Sequence, residues 1–300
     1  MTSDRTTLLA TAIVFATGAF WGFYWIPVRA VSGMGLTGAW GTLAIAAAAG
    51  LLLSPVAVVR WRALRRAGGV ALASIALGGA AFALYSVAFV YGRVAIVILL
   101  YFLTPVWSTL IGRYVMGWHT PRMRIVAIVA GLMGLAVMLS AGGTAPIPRS
   151  AGEWMSLIAG LLWSVSTTGI RSRSDLRPPE AAFVFALGAM VAAGLLAPAL
   201  APLPTEGLAR HAGRLLGIVI ATGGIWWALS IAALMWATVR LDPARVGILL
   251  MSEVLVGTLS AAVLADEHLR GLELAGGALV LLAGVLEVWP VRRKGPAAAD

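Results

Sequence analysis

One carboxylic acid lies in the middle of a long apolar stretch, where its side chain is well placed to do chemistry. Glu253 falls near the centre of the run 244–264, whereas the other acidic residues lie in loops or near the ends of apolar runs. A carboxylate at such a depth is costly unless it is paired, protonated or turned toward a water-filled cavity. We therefore consider three roles for Glu253: binding a substrate ammonium group, carrying a coupling proton, or donating a structural hydrogen bond to Ser252 or a backbone carbonyl.

Aromatic side chains at a similar depth offer a second kind of chemistry. Those lying away from the expected membrane interfaces are Trp21, Tyr85, Tyr101, Trp107, Trp163, Trp226 and Trp227. A buried indole or phenol offers a flat face to aromatic or cationic ligands, and its N–H or O–H needs a partner. The alternative is that these rings only pack helices together. Neighbouring residues on a helix point in different directions, so of the adjacent pair we assign only Trp227 to a cavity.

Two hydroxyl residues complete the predicted substrate site, although such groups also commonly satisfy backbone carbonyls in lipid. The predicted substrate-binding residues are Trp21, Tyr85, Tyr101, Trp107, Trp163, Trp227, Ser230, Ser252 and Glu253. We predict no catalytic residue, no cofactor and no metal. The lone lysine is Lys294, so the Gly-Lys-Ser/Thr phosphate loop of an ATPase has no counterpart. The histidines, which we expect in separate loops and so disfavour as metal ligands, are His119, His211 and His268.

The composition predicts that these residues sit in membrane-spanning helices. The chain is 60% hydrophobic and only 11% charged, whereas soluble domains have about 25% charged residues. Continuous apolar runs of about 20 residues, long enough to cross the ~30 Å hydrocarbon core, recur along the whole chain. We predict ten spans, near 7–28, 36–58, 69–91, 95–116, 122–141, 152–171, 180–197, 214–238, 244–264 and 270–289.

The basic excess is a topology signal rather than a sign of nucleic-acid binding. When alternate loops are assigned to opposite sides, 16 of the 22 Lys and Arg residues fall on the side of the N-terminus. The six on the other side are Arg29, Arg93, Arg149, Arg210, Arg214 and Arg270. This asymmetry follows the positive-inside rule. It predicts a multi-pass protein of the bacterial inner membrane with both termini in the cytoplasm.

The two halves of the chain resemble one another. Trp21-Gly22 recurs as Trp163-Ser164, and Gly78-Gly79 followed by Phe82-Ala83-Leu84 recurs as Gly223-Gly224 followed by Trp227-Ala228-Leu229. Five spans per half would insert the second copy upside down, as in many secondary transporters. The alternative is a chance match between Ala/Leu/Gly-rich helices. We predict a first repeat over 1–145, an inverted second repeat over 146–291 and a cytoplasmic tail over 292–300.

With its paired motifs, Pro105-Val106 and the string Leu264-Ala265-Asp266-Glu267, the chain resembles the drug/metabolite transporter superfamily. The resemblance is to its ten-helix EamA-type members, and most of all to aromatic amino-acid exporters of the YddG type. It covers residues 10–288 and implies a cavity between the two halves and export of amino acids. Two departures are Gly117-Trp118, where an acidic residue is usual, and Val254, where helix nine often has proline.

Together these features predict a secondary transporter rather than an enzyme. The expected fold is all-α, with ten transmembrane helices in two inverted five-helix repeats. Its expected partners are a small-molecule substrate and membrane lipid, with no nucleic acid and no ATPase subunit, and we expect a monomer. A site lined by rings and one carboxylate suits an amino acid, but it suits a lipophilic cation equally well, so a broad-specificity drug or organic-cation exporter remains the alternative.

Overall fold

A computed structural model shows how the chain is arranged. It describes residues 2–117, 122–143, 147–173, 176–204, 208–238, 240–241, 246 and 249–288, and these ranges contain helices and turns but no strand. The first helices are α1 (Thr2–Trp21), α2 (Trp25–Gly33), α3 (Trp40–Val59), α4 (Trp61–Arg66), α5 (Gly69–Tyr91), α6 (Val94–Tyr101) and α7 (Thr104–Tyr114). They are followed by α8 (Arg122–Ser140), α9 (Ala151–Arg173), α10 (Pro178–Leu200), α11 (Leu208–Ala221), a π-helical segment (Thr222–Ser230), α12 (Ile231–Thr238), α13 (Ser252–Leu264) and α14 (Gly271–Val288).

The helices are those of an all-α membrane protein. In the described part of the chain, six helical stretches are long and apolar enough to cross a bilayer: Arg5–Gly33, Trp40–Val59, Gly69–Tyr91, Val94–Tyr114, Pro178–Leu200 and His211–Leu234. Three others are apolar but shorter: Ile125–Ser140, Ser252–Leu264 and Gly271–Leu286. Helix α9 is long, but its 23 residues include Glu153 and several serines and threonines, which lower its hydropathy.

Helix α5 forms the centre of the bundle, because glycines allow α9 and α10 to pack directly on it. A Cβ on Gly78 would lie 3.3 Å from the ring of Trp163 on α9. A Cβ on Gly79 would collide with the backbone carbonyl of Phe185 on α10. On α10, a Cβ on Gly188 would collide with the backbone of Ala76 on α5. Close packing therefore explains the glycine pair Gly78-Gly79.

Several expected spans are interrupted rather than continuous. The run 7–28 is divided by a turn at 22–24, and the run 95–116 is divided at Phe102-Leu103. Thr222–Ser230 is wound as a π-helix. In the run 244–264, Met251 lies in a turn. Glu253 therefore lies in the first turn of α13 and not in the middle of a continuous helix.

Two loop predictions also differ from the structure. His211 was expected in a loop, but it lies in α11, which begins at Leu208. The expected loop over 198–213 is shorter because α10 continues to Leu200. His268 lies in the loop before α14, as expected, and His119 lies outside the described residues.

Candidate functional site

The helix interruptions gather the aromatic residues of the candidate site. The turn at 22–24 follows Trp21, and the turn at Phe102-Leu103 follows Tyr101. Trp227 lies within the π-helical segment, and the turn at Met251 precedes Glu253. Side chains or solvent must satisfy the backbone groups that such breaks release, and in membrane proteins irregular backbone is tolerated where it is buried in protein or lines a cavity.

Phe82 on α5 lies at the centre of a buried aromatic shell. We define the aromatic shell as the side chains Trp21, Tyr24, Phe82, Tyr85, Phe185 and Trp227. The ring centroid of Phe82 is 4.9 Å from that of Trp21 and 5.2 Å from that of Trp227, both nearly perpendicular to it. Perpendicular ring pairs place a positive ring edge against a negative ring face. The shell thus joins helices from both halves of the chain.

Glu253 contacts this shell through a phenol. The hydroxyl of Tyr85 donates a hydrogen bond to Oε1 of Glu253 at 3.3 Å. The ring of Tyr85 stacks on that of Tyr101, with centroids 4.1 Å apart, and both tyrosines are buried. A carboxyl group bordered by two phenols is held in surroundings of low polarity. There it would interact strongly with any cation, because water competes little.

The indole N–H groups in the shell have defined partners. Nε1 of Trp21 donates to Oγ of Ser230 at 3.0 Å, and the Ser230 hydroxyl in turn donates to the backbone carbonyl of Trp226. Nε1 of Trp227 donates to the hydroxyl of Tyr24 at 3.2 Å. That hydroxyl also lies 3.0 Å from the Ser86 hydroxyl. These bonds fix the ring orientations, and they connect α1 and α5 with the π-helical segment.

Close backbone packing between α1 and α13 sets the position of Glu253. A Cβ on Gly22 would lie 2.7 Å from the backbone nitrogen of Gly257. A Cβ on Gly18 would collide with the hydroxyl of Ser252, and that hydroxyl donates to the carbonyl of Phe15 at 3.0 Å. Ser252 thus satisfies a backbone group in α1. The sequence had allowed this role as well as one in the substrate site.

Two predicted residues, Trp163 and Trp107, lie outside the hydrogen bonds described above. Trp163 reaches the shell edge-on through Phe185, at 6.0 Å between centroids, so that Phe82 and Phe185 lie between Trp163 and Trp21. Trp107 buries its Nε1, which finds no hydrogen-bond partner in the described part of the protein.

Pro105 is the second residue of α7, and because proline has no backbone N–H, the carbonyl four residues earlier loses its helix donor. The released carbonyl of Tyr101 accepts the Thr104 hydroxyl at 2.7 Å. The carbonyl of Thr104 accepts the hydroxyl of Ser164 at 3.0 Å. Gly160 allows α9 to approach this break, because a Cβ there would lie 2.9 Å from the Tyr101 carbonyl oxygen.

Sequence reasoning missed several members of the shell. Tyr24 is fully buried and contacts Trp21, Phe82 and Trp227. Its spacing of three residues from Trp21 would have placed both on one helix face. Phe185 had no comparable signal, since an apolar ring in an apolar helix is not distinctive. Trp226, by contrast, stacks on Phe20 with centroids 4.0 Å apart and is only half-buried.

Charged residues form a cluster at one end of the bundle. The arginine–glutamate cluster consists of Arg29, Arg93, Glu267 and Glu273. Arg93 forms a bidentate pair with Glu273, with N–O distances of 2.5 and 3.2 Å. Arg29 lies 3.2 Å from Glu267 and also donates to the carbonyls of Phe89 and Gly92. The cluster ties α2 and the α5–α6 turn to the loop before α14 and to the first turn of α14.

Metal-binding side chains do not gather at the site. Over the described residues, no group of three or more His, Cys, Asp or Glu side chains is close enough to hold a metal ion. The donors that are present are phenol, indole and hydroxyl groups around one carboxyl group. Such a set suits an organic ligand with a cationic or aromatic part.

Comparisons with known proteins support the fold alone. No model of a known protein family matches the chain, and no curated protein matches it. Nine chains of solved structures are similar. One of them, described as "Crystal structure of protein", has a TM-score of 0.56 and 16% sequence identity, and the match covers 94% of this chain and 96% of that chain. The arrangement of helices thus occurs over nearly the full length of a solved protein.

Proposed function

We propose that this protein is a secondary transporter of the bacterial inner membrane, which exports small metabolites by alternating access. Amino acids, aromatic ones included, are the substrates that we favour. The observation that carries this proposal is the carboxyl group of Glu253, hydrogen-bonded to Tyr85 beside a buried aromatic shell. The carboxylate would bind a substrate ammonium group, and the rings would take an apolar or aromatic side chain.

Interrupted helices around the site support transport over a structural role. In secondary transporters, substrate sites lie near the bilayer midplane and are typically formed by discontinuous helices. Here the breaks after Trp21 and Tyr101, the π-helical segment and the turn at Met251 all adjoin the candidate site. A protein that only needed rigid packing would have little use for four irregular spans around one group of side chains.

The architecture that we propose has ten spans in two inverted repeats, as in the drug/metabolite transporter superfamily. Joining interrupted helices gives spans from α1 with α2, from α6 with α7, and from α11 with the π-helical segment and α12. With α3, α5, α8, α9, α10, α13 and α14 the total is ten. The short helix α4 would lie at the membrane surface.

The distribution of charge supports the proposed orientation. Arg29 and Arg93, two of the few basic residues assigned to the outside, lie together in the arginine–glutamate cluster. Arg60 pairs with Glu180 near the start of α10, on the side that we assign to the cytoplasm. We propose that both termini are cytoplasmic and that the arginine–glutamate cluster closes the outer end of the transport path. We further propose that the transporter is a monomer.

A flux assay with purified protein tests the proposal. Sealed liposomes containing the protein should release labelled phenylalanine faster than protein-free liposomes. Glu253→Gln should lower the initial rate about tenfold or more, because hydrogen bonds to charged groups contribute about 1.5–3 kcal/mol. Glu153→Gln is the matched control, since Glu153 lies in the first turn of α9 and bonds the backbone of Arg149. Absence of flux with every amino acid tested would contradict the proposal.

Export of lipophilic cations is the second candidate, because a ring-lined site with one carboxyl group also suits a delocalised cation. The same variant separates the two substrates. If Glu253→Gln abolishes cation efflux and leaves amino-acid efflux intact, then the carboxylate does not bind the amino acid and the ammonium contact proposed here is wrong. Repeating each flux with and without an imposed pH gradient then reveals whether protons are coupled to transport.

A further inference from the structure

A long groove lies on the outer surface of the bundle, between α5 and α10. Its volume is about 770 Å³, and it is lined by apolar side chains, among them Leu72, Leu77, Phe183, Leu187 and Leu195. At one end it is bordered by Trp61 and Arg65 of the short helix α4. Of the described residues that line it, Arg65 alone is charged.

The groove is closed off from the aromatic shell. Ala76 and Gly188 line the groove where the two helix backbones touch, and a Cβ on Gly188 would collide with the Ala76 backbone. Beside them, a Cβ on Gly79 would collide with the carbonyl of Phe185. These contacts leave no room for a side chain between the two helices. A molecule in the groove would therefore contact the outer faces of α5 and α10 and would not reach Glu253.

The length of the groove matches one leaflet of a bilayer. Val184 shares a buried cluster with Leu64 and Ile75, so the beginnings of α5 and α10 both lie beside α4. From Phe183 to Leu195 a helix rises about 18 Å. Half of the hydrocarbon core measures about 15 Å. The groove thus extends from the membrane surface to the region of the midplane.

Helix α4 places unpaired positive charge at the surface end. Arg60, just before it, is 3.6 Å from Glu180. Arg62, Arg65 and Arg66 lie on one face of α4, are exposed, and have no acidic partner in the described part of the chain. Trp61 is 57% exposed beside them, as is typical of an indole at headgroup level.

We propose that this groove binds an anionic phospholipid. One acyl chain would lie between α5 and α10, and the phosphate would contact the guanidinium groups of Arg62, Arg65 and Arg66. Arginine pairs well with phosphate because its planar fork donates two parallel hydrogen bonds. Basic groups near the membrane surface attract anionic lipids. Charge complementarity therefore selects an anionic lipid over a neutral one for a groove that any acyl chain would fit.

Lipid retention by the purified full-length chain tests this proposal without any transport measurement. Delipidated protein in detergent is mixed with phosphatidylglycerol or with phosphatidylcholine of the same acyl chains, and bound lipid is counted by native mass spectrometry. We expect phosphatidylglycerol to bind at least about fivefold more tightly, which is the gain that one arginine provides near an anionic surface. Equal binding of the two lipids would overturn the proposal.

Two sets of variants locate the lipid. Replacing Arg62, Arg65 and Arg66 by Gln should reduce phosphatidylglycerol binding to the level of phosphatidylcholine. The same replacement at the exposed residues Arg5, Arg113 and Arg214 should preserve the preference. If the control set removes the preference equally, the charge effect is general and the proposed site is wrong.

The groove itself is tested by filling it. Ala73→Phe with Ala80→Phe occupies the space where the acyl chain would lie, and we expect retained phosphatidylglycerol to fall severalfold. Ala262→Phe adds the same phenyl ring at an exposed position of α13 and should leave the amount of retained phosphatidylglycerol unchanged. Unchanged retention in the groove variant would show that the lipid binds elsewhere. Circular dichroism of every variant confirms that the helices are intact.

Discussion

Arg29 and Glu267 form an ion pair, with 3.2 Å between Nη2 and Oε1, and the same carboxylate of Glu267 caps the beginning of α6. Glu267 accepts the backbone N–H of Val94 at 2.8 Å and of Ala95 at 3.1 Å. These are free donors at the beginning of α6, where the helix dipole favours a negative charge. One carboxylate therefore holds α2 and α6 together at the end of the bundle that we propose as the outer end.

Glu267→Ala should open this end of the protein. The variant loses a charge-assisted pair and leaves two backbone donors without their acceptor, and interactions of this kind contribute about 1.5–3 kcal/mol. The chain contains no cysteine, so a single Ser86→Cys gives a clean probe at a buried position beside Tyr24. We expect maleimide to label this cysteine about tenfold faster when Glu267 is replaced. An unchanged labelling rate would mean that the cluster does not control access.

Gly79→Ala should destabilise the fold. A Cβ at this position collides with the Phe185 carbonyl, and added atoms in a tightly packed core cost about 1–3 kcal/mol. The matched control is Gly217→Ala in α11, where a Cβ meets nothing within 4 Å. At this position, replacing glycine by alanine should leave the free energy of unfolding unchanged or raise it by about 0.5–1 kcal/mol. Thermal unfolding in detergent, followed by circular dichroism, measures both effects; equal shifts would refute the packing explanation.

The hydrogen bond from Trp21 to Ser230 should appear as coupling in a double-mutant cycle. Ser230→Ala leaves a buried indole N–H unpaired, which costs about 1–3 kcal/mol. Once Trp21 is replaced by Phe, the same serine change should cost less, because the donor is gone. The pair Trp25 and Ser260, also joined at 3.0 Å, is a second case of the same geometry. If the losses in unfolding free energy of the two single variants simply add up in the double variant, the hydrogen bond between Trp21 and Ser230 does not contribute to stability.

Asp266 should tolerate glycine better than a branched residue. It follows α13 in the left-handed conformation, with φ of +52°, and this turn returns Glu267 toward α6. Asp266→Gly should preserve or slightly raise the unfolding temperature. Asp266→Val should lower stability by about 1–2 kcal/mol, since a branched Cβ clashes in the left-handed conformation, which the short polar side chain of aspartate tolerates. If the two variants unfold alike, the backbone at this turn is not constrained in the way described.

The general architecture was predictable from composition and apolar periodicity, whereas the helix breaks were only partly so. Pro105 marks the beginning of α7 because proline cannot continue a helix hydrogen-bond ladder. The turn at 22–24 has no proline at the break itself. It depends on tertiary contacts such as that between Gly22 and Gly257, which are distant in sequence. Apolar runs locate a span well, but they do not show where it is interrupted.

The candidate site was predictable to a similar extent. Glu253 stood out because acids are rare in apolar runs, and the structure places it against Tyr85, another residue chosen from the sequence. Phe185 and Ser86 gave no signal, since one is an ordinary apolar residue and the other an ordinary hydroxyl in a helix. Their importance comes from which helices α5 contacts, and a single sequence does not contain that information directly.

The π-helical winding of Thr222–Ser230 has a consequence for any comparison of the two halves. Hydrogen bonds in a π-helix join residues five apart rather than four, so each residue turns the chain through a smaller angle. Over these residues the rotation lags behind that of α5, the helix that our proposed repeat pairs with them. Side chains paired by a constant offset therefore face different directions around their helix axes. If the halves form the repeat that we propose, they differ here in backbone twist as well as in amino-acid sequence.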